Sequence, residues 1–274
     1  MIARVFATAL LGFSMVSPVL AETATVDGID IYWTSEGEGP AVLLVHGWTC
    51  DTTVWTDQIA EFADRYKVIA LDLPGHGLSG TPADGQFTME LYAKAVEAVR
   101  VDAGVDEIVL VGHSMGAPVI SQYALDYPAA VAGLVAVDGG LLPPDPTAES
   151  PLPDGPFRQA RERLIRSFFV PETTADIRDK VLHVMLAPPD ERALAVAGAM
   201  ATFSVDEGEQ IDAPALVVLA GTAEVPGSAQ MQEFREFIPD LEVEVIDRTG
   251  HFLMMEEPGV FNHLLGGFLQ EAEY

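Results

Sequence analysis

At 274 residues the chain has room for one large α/β domain with an insertion. Its 42 acidic side chains outnumber 14 basic ones, for a net charge of −28, which argues against nucleic acid and anionic membrane surfaces as partners and favours solubility. A single cysteine, Cys50, excludes an intramolecular disulfide.

The first 21 residues have the form of a targeting segment. Arg4 gives a positive start, residues 5–16 form an apolar run too short to span a bilayer, and Val19-Leu20-Ala21 offers a cleavage position. Glu22 is therefore expected to begin a mature chain that resides in a periplasm or in the medium. No later apolar run reaches membrane-spanning length.

Residues 25–34 alternate around Asp27-Gly28 and predict a hairpin. An apolar strand at 41–45 leads into His46-Gly47-Trp48, followed by a helix over 55–64, a strand over 67–71 and a helix over 89–103. Residues 107–111 read as a buried strand, and 117–127 as a helix ending before Pro128. Another apolar strand, 131–137, ends in Asp138. The texture then changes, with six prolines between Pro143 and Pro156 that suggest an extended linker. Helices follow over 157–169, 175–186 and 191–202; a strand over 215–219, a helix over 229–237, a strand over 241–246 and a closing helix over 261–271 complete the chain.

Strands alternating with helices imply an α/β fold, a mostly parallel central sheet covered by helices on both faces. Residues 22–139 and 213–274 would form that core, with 140–212 a helical cap over the carboxyl edge of the sheet. Neither an internal repeat nor a low-complexity tract interrupts this plan.

Between the strand at 107–111 and the helix at 117–127 lies Gly112-His113-Ser114-Met115-Gly116. A G-x-S-x-G run between a strand and a helix is a nucleophile elbow, which exposes the serine hydroxyl at the carboxyl edge of the sheet. Serine needs a base within hydrogen-bond reach. His251, in Thr249-Gly250-His251-Phe252 just after the last strand, would arrive at the same edge. His46, His76 and His113 sit in tight glycine-containing turns and read as structural; His183 and His263 fall on helices. No histidine pair has metal-ligand spacing, and no metal or cofactor is expected.

The imidazole needs a carboxylate to fix its tautomer. Asp138, emerging from an apolar strand, and Glu224, in the loop after the next strand, both qualify; Asp138 is preferred, because a charge leaving an apolar run is costly unless paired. Backbone N–H groups of Met115 and Trp48 are the expected oxyanion donors. The Trp48 indole could wall an acyl pocket or simply pack. Cys50 reads as a small apolar residue, and Arg158, Arg161, Arg163 and Arg166 as a solvated helix face that balances neighbouring acids.

Four motifs in order carry a resemblance: His46-Gly47-Trp48, Asp72-Leu73-Pro74-Gly75-His76-Gly77-Leu78-Ser79, the elbow, and Gly250-His251-Phe252-Leu253-Met254-Met255-Glu256-Glu257-Pro258. Together they resemble the α/β-hydrolase family, specifically its capped, esterase-like members. The resemblance implies roles for Ser114, His251, Met115 and Trp48 as above. Most of the family carries an aspartate where this chain has Glu224, while some members place the acid after the sixth strand, where Asp138 lies. A serine at the elbow also separates the chain from relatives that use an aspartate nucleophile there.

The expectation is an exported serine hydrolase of small-molecule esters or lactones acting through an acyl-enzyme. The same triad would also serve carbon–carbon bond hydrolysis or cofactor-free perhydrolysis, and a non-catalytic binding protein on this scaffold is the alternative of a different class.

Overall fold

The computed structural model describes residues 20–143, 152–206, 208–223 and 227–272. The chain opens with an antiparallel hairpin, β1 (Leu20–Val26) and β2 (Ile29–Glu36). Asp27 and Gly28 make its two-residue turn with φ of 50° and 78°, the left-handed pair that matches the twist of hairpin strands. The first strand thus takes in Leu20 and Ala21, paired with Ser35 and Thr34.

The central elements follow as β3 (Ala41–Val45), α1 (Thr56–Phe62), β4 (Lys67–Leu71), α2 (Met89–Asp102), β5 (Ile108–His113), α3 (Gly116–Asp126) and β6 (Val131–Val137). Next come α4 (Phe157–Ser167), α5 (Ala175–Leu186), α6 (Asp190–Gly198), β7 (Ala215–Ala220), α7 (Ser228–Phe237), β8 (Leu241–Ile246), α8 (Leu253–Glu256) and α9 (Pro258–Glu271).

The eight strands form one sheet in the order β1-β2-β4-β3-β5-β6-β7-β8, parallel from β4 through β8. The inner strands read as continuous apolar runs because both faces are covered. Leu43, Val45, Leu71, Leu110 and Leu134 pack with Tyr92 and Val96 of α2 and Val119 and Tyr123 of α3. Their neighbours Val42, Leu44, Ala70, Val109 and Val135 pack with Phe62 of α1 and Phe261 and Leu265 of α9. Fully burying one such side chain stabilises the fold by about 1.5–3 kcal/mol.

Most sequence expectations agree to within a residue or two, and the exceptions have physical causes. The helix expected over 55–64 is split, a 3₁₀ turn at Thr52–Trp55 preceding α1, because Asp51 caps Thr53 N–H and starts the helical path early. Strand β5 runs on through Gly112 and His113, which pair with Ala136 and Val137. The last helix begins at Pro258 rather than at 261, with Pro in its first turn where its missing N–H costs nothing. It is preceded by the short α8, for which the sequence carried no separate signal.

The three helices α4–α6 interrupt the strand–helix alternation between β6 and β7, as expected. Residues 144–151 of the proline-rich stretch lie outside the described residues. On the outer edge, β8 keeps Leu241 and Ile246 buried while Glu242 and Glu244 are exposed.

Candidate active site

Ser114 sits between β5 and α3 with φ of 52°, a left-handed backbone that a non-glycine residue adopts only at a cost. Its N–H donates to Val137 O at 2.9 Å, tying the turn to the end of β6. Glycine on either side of the triplet is a steric necessity. A Cβ at Gly112 would fall 2.4 Å from Gly116 O, and one at Gly116 would fall 2.4 Å from Val45 O. The helix α3 starts directly behind the serine with Met115 as its N-cap, so the Met115 N–H stands at the helix end whose backbone donors have no partner within the helix.

The end of β3 comes down beside the elbow. Gly47 packs so closely that a Cβ there would lie 3.0 Å from Ser114 Cβ and from His113 Nδ1. His46 accounts for that loop's shape. It is fully buried; its Nδ1–H donates to Gly47 O at 2.8 Å and its Nε2 accepts from Leu73 N–H at 3.0 Å. Burial lowers its pKa from the ordinary histidine value and keeps the ring neutral. The next loop is organised by buried Asp72, whose two carboxylate oxygens each accept at 2.8 Å, from Thr52 N–H and Leu78 N–H.

His251 and Asp138 meet at this edge. The His251 Nδ1–H donates to Asp138 Oδ2 at 2.6 Å. The second carboxylate oxygen accepts from Ala220 N–H at 2.9 Å. An ionised carboxylate can only accept, so the proton of the neutral ring belongs on Nδ1 and Nε2 keeps a lone pair. Burial alone would raise the Asp138 pKa. The hydrogen bond and charge of His251, with the Ala220 N–H, outweigh it and hold the carboxyl below its ordinary value. Asp138, like Ser114, has a positive φ, 44°. Glu224, the other acid considered, lies outside the described residues.

Three groups unforeseen in these roles hold the His251 loop. His113, in the elbow itself, donates from Nε2 to His251 O at 2.8 Å, and its ring lies 4.7 Å from that of His251. Burial, and then the neighbouring His251, push its pKa down to about 3, so it is neutral. Glu256 Oε2 accepts from Gly250 N–H at 2.7 Å. Phe168, just past α4, accepts from His251 N–H at 2.9 Å and sets its ring 4.4 Å from the imidazole. Glu256 stands in the motif Gly250–Pro258, which could have signalled it; Phe168 had no signal, since it arrives from another part of the chain.

Trp48 is half-buried, and its indole donates to Ala193 O in α6 at 2.8 Å. Above its ring, at 5.8 Å, lies the guanidinium of Arg161. Here the expectation of a solvated arginine face needs correction. Arg158 and Arg166 are exposed and paired with Asp190 and Glu162. Arg161 is fully buried and donates to Met185 O, Pro188 O and Asp190, closing the end of α5 against Trp48. Cys50 is buried and free, and burial first, then Asp51, raises its pKa far above the range of a reactive thiol. His76, also buried, is pushed down to about 3, chiefly by burial. Among the described residues no cluster of three or more His, Cys, Asp or Glu side chains could hold a metal ion.

A serine at a strained strand–helix turn, with a histidine–carboxylate pair at the same sheet edge, is the arrangement of a hydrolase built on a parallel sheet. Residues 42–264 match the alpha/beta hydrolase family, and the chain belongs to it. Among curated proteins it is similar to the Escherichia coli protein RutD, which carries the name of a carbamate hydrolase. That match is 28% identical and covers 83% of this chain and 90% of RutD. An uncharacterised Mycobacterium tuberculosis protein is 25% identical over 94% of this chain and 83% of its own length. Among solved structures, Est816, an N-acyl homoserine lactone degrading enzyme, superposes with a TM-score of 0.75 at 28% identity, covering 90% of this chain and all of that one. A thermophilic esterase from Thermogutta terrifontis gives 0.78 at 26% identity, over 94% of this chain and 100% of the esterase.

Proposed function

We propose that this alpha/beta hydrolase is an exported serine hydrolase that cleaves small carboxylic esters or lactones through an acyl-enzyme. The observation that carries the reading is the 2.6 Å bond from His251 Nδ1–H to Asp138, which leaves Nε2 of the neutral ring as a base. In this reading Ser114 Oγ attacks the carbonyl carbon while Nε2 takes the hydroxyl proton. The oxyanion that forms meets the N–H groups of Met115 and Trp48. Collapse breaks the carbon–oxygen bond, and the imidazolium returns its proton to the leaving alkoxide. Water then repeats the sequence on the acyl-enzyme, releasing the acid and restoring Ser114. Asp138 stays ionised throughout and stabilises the imidazolium.

The ester and lactone classes are supported by the likeness to Est816 and to the Thermogutta esterase. In a lactone the alcohol stays tethered to the acyl group, so the same steps give a hydroxy acid. Export is proposed from the leader-like composition of the first 21 residues. The helices α4–α6 are proposed as the cap, supported by their bonds to the Trp48 and His251 loops.

Labelling the purified protein with a fluorophosphonate tests the mechanism, and a series of p-nitrophenyl esters of increasing acyl length, with lactones alongside, tests the substrate class. Modification at Ser114 together with turnover of at least one of these classes is expected. An unlabelled protein that turns over neither esters nor lactones would overturn the reading.

A further inference from the structure

We infer that Phe168 is a positioning residue for His251, so that the seating of the helical insertion orients the proposed general base; the inference rests on the serine-hydrolase reading above. The constraints on the His251 loop divide by origin. Around Gly250 and His251 the sheet domain supplies Asp138 on Nδ1, His113 on the carbonyl and Glu256 on the Gly250 N–H. The insertion supplies a further constraint. Phe168 O accepts the His251 N–H at 2.9 Å, and the Phe168 ring lies 4.4 Å from the imidazole at an interplanar angle of 36°.

This contact is built into the backbone. A Cβ at Gly250 would fall 2.1 Å from Phe168 O, so the loop approaches α4 to a distance that only glycine permits. Phe168 also lies 6.3 Å from the Phe252 ring, which anchors it in the core beneath the site.

Nδ1 bonding alone leaves the imidazole free to pivot about that bond and swing Nε2 out of the orientation that the proposed reaction requires. A flat aromatic ring at van der Waals range blocks the swing on its side. Once the ring is protonated, the electron-rich face of Phe168 also favours the cation. The insertion meets the other half of the site as well, through Ala193 O on the Trp48 indole and Arg161 over its ring. Displacing it would therefore disturb the base and the expected oxyanion loop together.

The test uses the full chain with Phe168→Leu and Phe168→Tyr, and p-nitrophenyl acetate, whose small acyl group needs little help from the insertion. Phe168→Leu should lower kcat roughly ten- to a hundredfold, the scale of a small misplacement of a catalytic group, with KM held within about twofold. Fluorophosphonate labelling of Ser114 should slow in proportion, and Phe168→Tyr should restore both. The downfield proton resonance of the His251–Asp138 bond should broaden in the leucine variant and sharpen again with tyrosine. If Phe168→Leu loses its cooperative melt, Phe168→Met, which fills similar volume without a ring, takes its place under the same criteria. A leucine or methionine variant with wild-type kcat and labelling rate overturns the inference, as does a rise in KM alone, which would make Phe168 a pocket wall. A wild-type protein that resists labelling defeats instead the underlying hydrolase reading, and this inference with it.

Discussion

Asp138 and His251 stand 113 positions apart in the chain and are joined by a 2.6 Å hydrogen bond, while the aspartate's other oxygen is taken by Ala220 N–H on the strand between them. The carboxylate is thus fixed from two directions, and it can fix the imidazole tautomer only because it does not itself rotate. Replacing Asp138 with asparagine keeps the shape but lets an amide N–H face the ring, which favours the wrong tautomer. We expect Asp138→Asn to lower kcat by about 10⁴-fold and Glu224→Gln to leave it within a few-fold. Steady-state kinetics on one p-nitrophenyl ester decide between them; a larger loss at Glu224 would transfer the role.

Ser114→Ala and His251→Ala should each lose on the order of 10⁴-fold or more in kcat with the fold intact. Near wild-type turnover in either would remove the mechanism.

The left-handed φ of Ser114, 52°, sets stability against the proposed nucleophilic role at one residue. Glycine adopts that conformation freely, although it also gives the unfolded chain more freedom. Ser114→Gly should therefore gain stability, by about 1 kcal/mol, while abolishing turnover. Chemical denaturation of wild type and variant reads this directly, and a less stable glycine variant would show that the turn stores no strain.

Acid should weaken the fold well before most carboxylates titrate. His76 and His113 are held to pKa values of about 3, both chiefly by burial, against 6.5 when unfolded. A depressed folded pKa gives stability that is complete above about pH 6.5 and drains away as pH falls towards 3, because the unfolded chain binds the protons first. Urea midpoints measured between pH 7.5 and pH 4.5 should fall steadily. His76→Gln, which cannot titrate, should flatten that slope; an unchanged slope would acquit His76 of the effect.

With a net charge of −28, self-repulsion opposes the compact state. Added sodium chloride screens it, so the melting temperature should rise between dilute buffer and molar salt. Greater stability in dilute buffer would argue that the acidic surface is no burden to this fold.

The features legible in the sequence were those whose cause is local. Buried parallel strands are unbroken apolar runs, so Ala41–Val45 and Val131–Val137 were readable to the residue. The elbow announced itself because the glycines at 112 and 116 are demanded by atoms a few residues away or on the adjoining strand. Asp138 was preferred to Glu224 on the cost of a charge leaving an apolar strand, a local argument too, and Glu224 lies outside the described residues. What escaped was decided by distant partners. Arg161 looks like its exposed neighbours on α4 and is buried only because Trp48 and the end of α5 close over it. Nothing near Phe168 in the chain refers to His251, and their contact exists only once the insertion has folded back.

The outer strand β8 has a bearing on how these molecules behave in a crowd. It is the last strand in the sheet order, and an edge strand is a template on which another chain can pair. Glu242 and Glu244 stand exposed along it, so a second molecule adding its own β8 would bring carboxylates against carboxylates. Pairing of two copies along this strand is thereby disfavoured by like charge.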